Sequence, residues 1–371
     1  MLWNTHVRLK THFSRAPVAA IQLEAYLSDQ FNEVRMSISP TMRRADYNEG
    51  HAASLPISVD LPLPEPDVFH DPISFDCNAT VNPSEAAHFK EHGFIVKRGL
   101  IRDAEVFVQI EDHMWNNVPR GLMRRDDPNS WIDTPGQCWT ERDSLEVGML
   151  LEGNWKMRSK EGIGTEPFLI GKIANHPNMR SIARILMGGT PALSRRVRGI
   201  YSVFPSRPGS VGRYRPHADY MAAHLSAMVI SSEINPRGGG FIIWPGSHKR
   251  LHPYWRTVHG GTMISAKAEP FLTAREQILR DTMPVEFNGK PGDVIFWHPR
   301  ALHSAGLNHS ADNGSPAVRM IIPCDYQIAG RDYFDDEDYG PGADYQWWID
   351  TRNFASDVAP SENNIWDDWG I

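Results

Sequence analysis

The amino-acid sequence predicts a mainly β fold, a sandwich or a barrel, with helices at its flanks. The middle of the chain consists of short runs rich in β-branched and aromatic residues, separated by Gly, Pro and Asn, as is typical of closely spaced strands. No segment recurs at a fixed period, so a propeller or a solenoid is disfavoured. The predicted strands in this part of the chain are Val197–Phe204, Tyr214–Tyr220, Ala227–Ile234, Gly240–Trp244, Met283–Phe287, Asp293–Trp297 and Val318–Tyr326.

Helices are predicted mainly ahead of these strands, where start and stop signals are clear. Pro83-Ser84-Glu85 is typical of a helix start, and the pairs His92-Gly93 and Gly188-Gly189 are typical of helix ends, because glycine readily adopts the left-handed conformation of a C-terminal cap. The predicted helices cover residues 83–90, 103–115 and 178–187, and a strand is predicted at Phe94–Lys97.

Composition indicates a globular protein that acts on a small molecule. The 371 residues are 41% hydrophobic, enough for a sizeable core, and no apolar run approaches the roughly 20 residues of a membrane span. A net charge of −7 and a pI near 6.1 argue against a nucleic-acid surface. The three cysteines, Cys77, Cys138 and Cys324, are far apart and odd in number, so neither a disulfide framework nor a thiolate zinc site is predicted. We therefore expect a cytoplasmic protein with no nucleic-acid or membrane partner, and the oligomeric state stays open.

Both ends of the chain are expected to be appendages to a central domain at residues 66–330. Residues 1–65 hold a possible short helix at Ile21–Glu33 and a Pro-rich linker at Pro56–Pro66. Two other interpretations of this part are an organelle-targeting presequence and a true start at Met36 or Met42. Residues 331–371 form an acidic extension rich in Trp and Tyr. So many indoles usually need a surface to bury on, so part of the extension is expected to pack on the core.

A His-x-Asp pair, His217-Ala218-Asp219, is the first candidate for metal chemistry. Side chains two residues apart in a strand point to the same face and can reach one ion together. Two imidazoles and one carboxylate on one face of an octahedron suit non-haem iron(II), because three positions stay open. The spacing alone is weak evidence, since a polar strand face gives the same pattern, and a third ligand must come from elsewhere. Pro291 to Asn308 offers two candidates, His298 and His303, after a turn and an apolar strand.

Taken together, several segments in this order resemble the phytanoyl-CoA dioxygenase family of Fe(II)/2-oxoglutarate-dependent oxygenases. The joint match is specific, although no single piece is. The segments are Phe89–Val96, His217-x-Asp219, Gly239–His248, and Gly292-Asp293 through His303-x-x-Gly306-x-Asn308 followed by Arg319.

The resemblance implies a double-stranded β-helix, a cupin-like jelly roll with flanking helices, and a set of site residues. It implies that His217, Asp219 and His303 bind iron, that Arg319 binds the distal carboxylate of 2-oxoglutarate, and that the hydroxyl of Ser304 lies near the co-substrate. His298 is the rival third ligand, on the opposite face of a regular strand. The interval from His303 to Arg319 is longer than is usual in the family, so an expanded loop is expected there. His248 is expected to be structural and Met228 mainly a core residue.

The predicted function is that of a dioxygenase which uses Fe(II), 2-oxoglutarate and O2, hydroxylates an unactivated C–H bond of a small molecule, and releases succinate and CO2. The resemblance connects Asp219 with hydroxylation, because halogenating relatives lack this carboxylate. Two alternatives remain open, a metal-dependent β-barrel hydrolase or isomerase and a non-catalytic small-molecule binder on the same fold. Neither alternative needs Arg319 as an anchor for 2-oxoglutarate.

Overall fold

The computed structural model of the protein describes most of the central part of the chain and a short C-terminal segment. Ile21–Glu33, most of Pro56–Pro66 and the extension up to residue 359 lie outside the described residues, so the predictions made there remain predictions, as do the domain boundaries. In the part that is described, no helix is long and apolar enough to cross a membrane. The described residues are 64–68, 78–134, 138–151, 153–159, 162–212, 214–219, 224–257, 264–266, 268–329 and 360–371.

The core consists of two main sheets, whose strands pair almost entirely antiparallel. The larger sheet has the strand order β2-β11-β6-β13-β5-β4-β3, and the smaller sheet has the order β1-β10-β7-β12. A separate hairpin, β8-β9, lies outside both. In chain order the strands are β1 (Asp67–Val68), β2 (Phe94–Lys97), β3 (Gly148–Leu151), β4 (Asn154–Met157), β5 (Ile200–Val203), β6 (Leu225–Ile230), β7 (Phe241–Ile243), β8 (Trp255–Thr257), β9 (Ile264–Ala266), β10 (Val285–Phe287), β11 (Val294–Trp297), β12 (His303–Ala305) and β13 (Arg319–Tyr326).

The two main sheets face each other across a shared interior. The ring of Phe241 in β7 lies 4.7 Å from that of Trp297 in β11, so aromatic side chains of the two sheets are in contact. The chain crosses between the sheets repeatedly, because β6, β11 and β13 belong to one and β7, β10 and β12 to the other. This arrangement confirms the predicted sandwich and the jelly-roll fold class.

Several helices pack against the larger sheet, as the first helix illustrates, whereas Ser247–Leu251 and Ala268–Asp281 pack with Ile242 of the smaller sheet. The capping box of the first helix, formed by Asn82 and Glu85, and the left-handed cap Gly93 set its ends where the sequence predicts them. Glu85 also accepts a hydrogen bond from Lys97 of β2, and both side chains are fully buried. The helices are α1 (Pro83–His92), α2 (Ala104–Asn116), α3 (Glu141–Glu146), α4 (Pro167–Leu169, continued by a π-helical turn at Ile170–Ala174), α5 (Pro177–Met187), α6 (Ser247–Leu251) and α7 (Ala268–Asp281), with 3-10 turns at Pro128–Trp131, His252–Tyr254 and Ser310–Asn313.

Most predicted strands are present within a few residues of their predicted bounds, but Tyr214–Tyr220 is an exception. In this segment the only β-bridge of the described residues is that of His217 with His303, so the prediction of a regular strand there is wrong. His217 makes both backbone hydrogen bonds of this bridge, but the next donor along the segment, the N–H of Arg215, donates to the hydroxyl of Ser304 and not to a backbone carbonyl. The expected expansion between His303 and Arg319 is present as the 3-10 turn Ser310–Asn313, closed by the left-handed Gly314.

The described C-terminal segment packs on the core, which confirms that expectation for residues 360–371. Trp369 stacks on His298 with ring centroids 4.9 Å apart, and its ring also lies 5.3 Å from that of Phe89 in α1. Gly370 donates its N–H to the carbonyl of Leu186 in α5. A Cβ on Gly370 would lie 2.3 Å from the Cα of Gly188, so the two backbones touch.

Gly370→Ala is therefore expected to loosen the C-terminal segment. The added methyl group has no room against Gly188, and such overpacking typically costs about 1–3 kcal/mol of unfolding free energy. The variant should have a lower Tm and faster proteolysis within residues 331–371 than the wild-type protein. Gly171→Ala is the matched control, because nothing lies within 4 Å of a Cβ at that position. Equal Tm values for Gly370→Ala and the wild-type protein would contradict the close backbone contact.

Buried histidines lie beneath this C-terminal segment. His248 lies 5.2 Å from His298, measured between ring centroids, and 5.5 Å from Trp366. Burial, together with the neighbouring charges of Lys249 and His92, lowers the pKa of His248 to about 3, although its hydrogen bond to the Lys90 carbonyl opposes the shift. These imidazoles are therefore neutral at neutral pH.

The unfolding free energy should fall as the pH drops below about 6.5, the pKa of a histidine in the unfolded chain. Between that value and the folded-state pKa of His248 the unfolded chain binds more protons, so this residue alone can contribute a loss of up to about 1.4 kcal/mol per pH unit. His248→Gln should have a shallower loss. Urea unfolding followed by Trp fluorescence between about pH 7 and pH 5 measures both slopes. Identical slopes in the two proteins would contradict this assignment.

Candidate metal centre

Three side chains from two neighbouring segments meet at the interior edge of the smaller sheet. One potential ligand atom from each of His217, Asp219 and His303 lies within 4.8 Å of the other two. Among the described residues this is the only group of three or more His, Cys, Asp or Glu side chains with such spacing. The sequence therefore identified the group correctly, and the ligand roles of its members are taken up below as a proposal.

Backbone pairing brings the two histidines together. The N–H of His217 donates to the carbonyl of His303 at 2.9 Å, and the N–H of His303 donates to the carbonyl of His217 at 2.8 Å. Residues paired in this way lie directly opposite each other, and their rings are 4.5 Å apart. On its other edge, His303 pairs with Ile243 of β7. The smaller sheet thus fixes the position of both imidazoles.

Hydrogen bonds fix which nitrogen of each ring faces the site. The Nδ1 atom of His217 lies 2.8 Å from the carbonyl oxygen of Arg215, and the Nδ1 atom of His303 lies 3.0 Å from that of Ala301. A carbonyl oxygen only accepts, so each Nδ1 must carry the proton and each Nε2 presents a lone pair. This is the form in which histidine binds a metal, and the Nδ1 hydrogen bond orients the ring.

The electrostatics of the group keep its donors ready to bind a cation. Burial and the neighbouring His303 lower the pKa of His217 to about 3, and burial lowers the pKa of His303 as well. Burial tends to raise the pKa of Asp219, but the nearby Arg198, His303 and His217 outweigh it and hold that pKa below its ordinary value. Two neutral imidazoles and one ionised carboxylate therefore face one another at neutral pH.

A partly buried ion-pair network that the sequence did not reveal supports Asp219. Arg198 donates from Nη1 to Oδ2 of Asp219 at 2.8 Å, and from Nε and Nη2 to both oxygens of Asp325 at 2.6 and 2.7 Å. Asp325 also accepts a hydrogen bond from Ser226. Arg198 lies just before β5 and Asp325 lies in β13, so only the folded sheet brings them to Asp219.

Arg319 lies at the start of β13, on the face of the larger sheet that points toward the smaller sheet. Its Nε donates to the carbonyl of Gly239, and the side chain is almost fully buried. Burial lowers the pKa of Arg319 to about 9, and the carboxylate of Glu286 opposes this shift. The N–H of Gly306 donates to the carbonyl of Gly240, which is the residue next to Gly239. Gly306 follows His303 by three residues, so the Arg319 guanidinium and His303 are separated by about 10 Å along the smaller sheet at the usual rise of a strand.

A second cation beside the site, Lys156 of β4, was also missed by the sequence analysis. Its positive charge contributes to the lowered pKa of both His217 and His303, although burial has the larger effect. The Lys156 Nζ atom lies 5.8 Å from the ring centroid of Tyr201 in β5, its cross-strand partner. The hairpin that carries Lys156 was not predicted, so no signal in the sequence connected this residue with the site.

Other candidate residues lie away from the three ligand atoms. His298 stacks on Trp369 at the outer side of β11, so His303 rather than His298 joins His217 and Asp219. His248 is buried in α6 beside His298, in agreement with a structural role. Ser304 alternates with His303 in β12 and therefore points to the opposite face, where its hydroxyl accepts from the N–H of Arg215 and donates to the carbonyl of Ala305. Met228 is buried on the interior side of β6.

A comparison with protein-family models decides the family. The model for phytanoyl-CoA dioxygenase matches residues 89–314, which is more than half of the chain and includes the three clustered side chains. The chain belongs to the phytanoyl-CoA dioxygenase family. It is an enzyme, an iron- and 2-oxoglutarate-dependent dioxygenase, whose reaction requires Fe(II), 2-oxoglutarate and O2. A comparison with curated proteins finds no significant sequence match.

Solved structures similar to this phytanoyl-CoA dioxygenase family member share little sequence with it. EctD from S. alaskensis with 2-oxoglutarate and 5-hydroxyectoine is 16% identical, with 80% of this chain and 94% of that chain covered and a TM-score of 0.42. The non-heme alpha ketoglutarate dependent carbocyclase SnoK from nogalamycin biosynthesis is 19% identical, with 68% and 86% covered and a TM-score of 0.39. AviO1 from Streptomyces viridochromogenes is 14% identical, with 68% and 98% covered and a TM-score of 0.39.

Proposed function

We propose that this dioxygenase hydroxylates an unactivated C–H bond of a small-molecule substrate at a mononuclear iron(II) held by His217, Asp219 and His303. The observation that carries the proposal is the convergence of two Nε2 lone pairs and one carboxylate oxygen within 4.8 Å, in a member of an iron-dependent family. Two nitrogen donors and one oxygen donor of intermediate hardness suit iron(II) and leave three coordination positions for other molecules. The residues present therefore fit the metal.

When bound, iron(II) and 2-oxoglutarate supply the oxidising chemistry, in which O2 and 2-oxoglutarate give succinate, CO2 and one oxygen atom for the substrate C–H bond. The protein's part is to hold and orient the reactants. The Nδ1 hydrogen bonds of His217 and His303 keep both imidazoles in the metal-binding tautomer. The aromatic rings of Phe241 and Trp297, which lie 5.3 and 5.8 Å from that of His303, exclude water from one side of the centre.

We assign the distal carboxylate of 2-oxoglutarate to Arg319. Its guanidinium offers paired N–H donors that match a carboxylate, and its separation of about 10 Å from His303 along the sheet suits a five-carbon dicarboxylate that reaches from metal to anchor. Lys156 adds positive charge to the same interior. Ser304 faces the other side of β12, so its proposed role is to hold the backbone of Arg215 by accepting a hydrogen bond from its N–H. The carbonyl oxygen of Arg215 in turn accepts the hydrogen bond from Nδ1 of His217.

Hydroxylation is favoured over halogenation because the carboxylate position of the ligand set is filled. Asp219 is ionised and occupies the place that a halide would need. The substrate is proposed to be a small molecule because the ligand group is largely enclosed: His303 is buried, and the side chains of His217 and Asp219 are only 34% and 21% exposed.

Anaerobically purified protein that is supplied with Fe(II), 2-oxoglutarate and O2 should form succinate, and a correct substrate should increase the rate and gain one oxygen atom. Succinate is measured by chromatography, and the oxygenated product by mass spectrometry with 18O2. His217→Ala and Asp219→Ala should lose stoichiometric iron, because each removes one of only three protein ligands. His248→Gln is the matched control and should retain iron. Stoichiometric iron in both ligand variants would show that the metal binds elsewhere, and the absence of succinate across a metabolite panel would contradict the proposed reaction.

Arg319→Met should raise the KM for 2-oxoglutarate roughly 100-fold, because a charge-assisted hydrogen-bonded pair contributes about 2–3 kcal/mol. Arg319→Lys should have an intermediate KM, since an ammonium keeps the charge but lacks the planar fork. Substrate-stimulated succinate formation at varied 2-oxoglutarate measures the effect, and the Kd for the metal should stay at the wild-type value in both variants. A wild-type KM in Arg319→Met would assign the anchor to another cation.

A further inference from the structure

We infer that Arg198 and Asp325 form a clamp that holds one oxygen of Asp219, so that the other oxygen alone is presented to the metal. The inference rests on the proposed function, because it takes Asp219 as a metal ligand. Arg198 and Asp325 are positioning residues in this view, since they act on the metal only through Asp219.

Asp219 depends on a side-chain partner because the backbone around it is irregular. His217 is the residue of the described segment 214–219 that bridges to a neighbouring strand, and Asp219 lies two residues beyond that bridge. The hydrogen bond from Arg198 Nη1 to Asp219 Oδ2, at 2.8 Å, supplies a connection to the larger sheet. An ionised carboxylate that is not held in this way can rotate and change which oxygen faces a cation.

The clamp itself is anchored by backbone and side-chain contacts. The N–H of Arg198 donates to the carbonyl of Pro323 at 3.0 Å, which fixes its backbone against β13. The next residue, Gly199, has a φ of 130° and lies so close to β4 that a Cβ would be 2.3 Å from the carbonyl oxygen of Met157. The guanidinium then grips both oxygens of Asp325, and Ser226 of β6 donates to one of them at 3.0 Å.

The two oxygens of Asp219 consequently have different surroundings. Oδ2 accepts from Arg198, whereas Oδ1 lies on the side of the imidazoles, 3.9 Å from Nε2 of His217. A guanidinium proton on Oδ2 opposes coordination through both oxygens. One-oxygen coordination preserves the three open positions that 2-oxoglutarate and O2 require. Asp325 offsets the positive charge of Arg198, so the negative charge of Asp219 stays available to the metal ion.

The net charge of the three groups agrees with separate roles for Asp219, which faces the metal, and Asp325, which holds Arg198. Arg198 is flanked by two carboxylates, so the three groups together carry one negative charge. The bidentate pair with Asp325 has the stronger geometry, with distances of 2.6 and 2.7 Å, and the single hydrogen bond to Asp219 is left for orientation. Loss of Asp325 would allow Arg198 to form the bidentate pair with Asp219 instead, which would also occupy Oδ1, the oxygen that is presented to the metal.

The test is the Kd of the purified full chain for Co(II), measured by anaerobic titration together with the visible spectrum of the cobalt form. Arg198→Met and Asp325→Asn are each expected to raise the Kd by about 10- to 100-fold, which is the usual effect of removing a residue that orients a metal ligand. Arg198→Lys should recover part of the affinity, since one donor to Asp219 remains possible. The cobalt spectrum of Arg198→Met should differ from that of the wild-type protein, because Asp219 is then free to coordinate through both oxygens.

Arg98→Met is the matched control. Arg98 donates to Asp293 at 2.9 Å in another largely buried pair at the end of β2, so its loss reports the general effect of removing an ion pair. This control should lose stability without loss of metal affinity, and Tm values identify any variant that is unfolded. Asp325→Asn keeps the shape of the side chain but replaces one of the two acceptor oxygens with an amide donor, and it remains informative if Arg198→Met does not fold.

Two failures are distinguishable. If Arg198→Met and Asp325→Asn are folded and bind Co(II) with the wild-type Kd, while His217→Ala does not bind it, the metal centre stands and the clamp is overturned. If His217→Ala binds Co(II) as the wild-type protein does, the proposed metal centre itself is wrong and the clamp falls with it.

Discussion

The reciprocal backbone hydrogen bonds between His217 and His303 are the constraint on which the rest of the site depends. They place two imidazoles side by side without any help from a metal, because the pairing belongs to the sheet. His303 is held again on its other edge by Ile243 of β7, so the pair is continuous with the core. Asp219, two residues further along, is the member of the group that needs additional support, and Arg198 supplies it. The site thus consists of two imidazoles fixed by the smaller sheet and one carboxylate that a side chain of the larger sheet holds.

The sequence predicted the parts of the fold whose signals are local. The helix at Pro83–His92 carries its own start and stop signals, and the apolar run at Val294–Trp297 indicates a buried strand. The clustering of His217, Asp219 and His303 was predicted because the three residues lie in short motifs with a fixed order. In these cases the physical cause, a cap, a run of branched residues or a ligand spacing, lies within a few residues of the element that it specifies.

What the sequence did not reveal depends on distant pairing or on weak signals. Arg198, Asp325 and Lys156 reach the site only through the register of β4, β5 and β13, which no single segment encodes. Helix α7 was not predicted, although Pro270 lies in its first turn, where proline is tolerated. The regular strand predicted at Tyr214–Tyr220 was wrong because the N–H of Arg215 donates to the Ser304 hydroxyl and does not continue the backbone ladder beyond His217. Local sequence patterns therefore specify the three clustered side chains, whereas tertiary pairing specifies the charged residues around them.

The packing of Trp369 on Phe89 joins positions that are separated by most of the catalytic domain. Contacts between residues so far apart in sequence are costly to close and tend to form late in folding. A contact that forms after the transition state acts mainly on the unfolding rate and hardly on the folding rate. We therefore expect the contacts of the C-terminal segment to act mainly on the unfolding rate of the folded molecule.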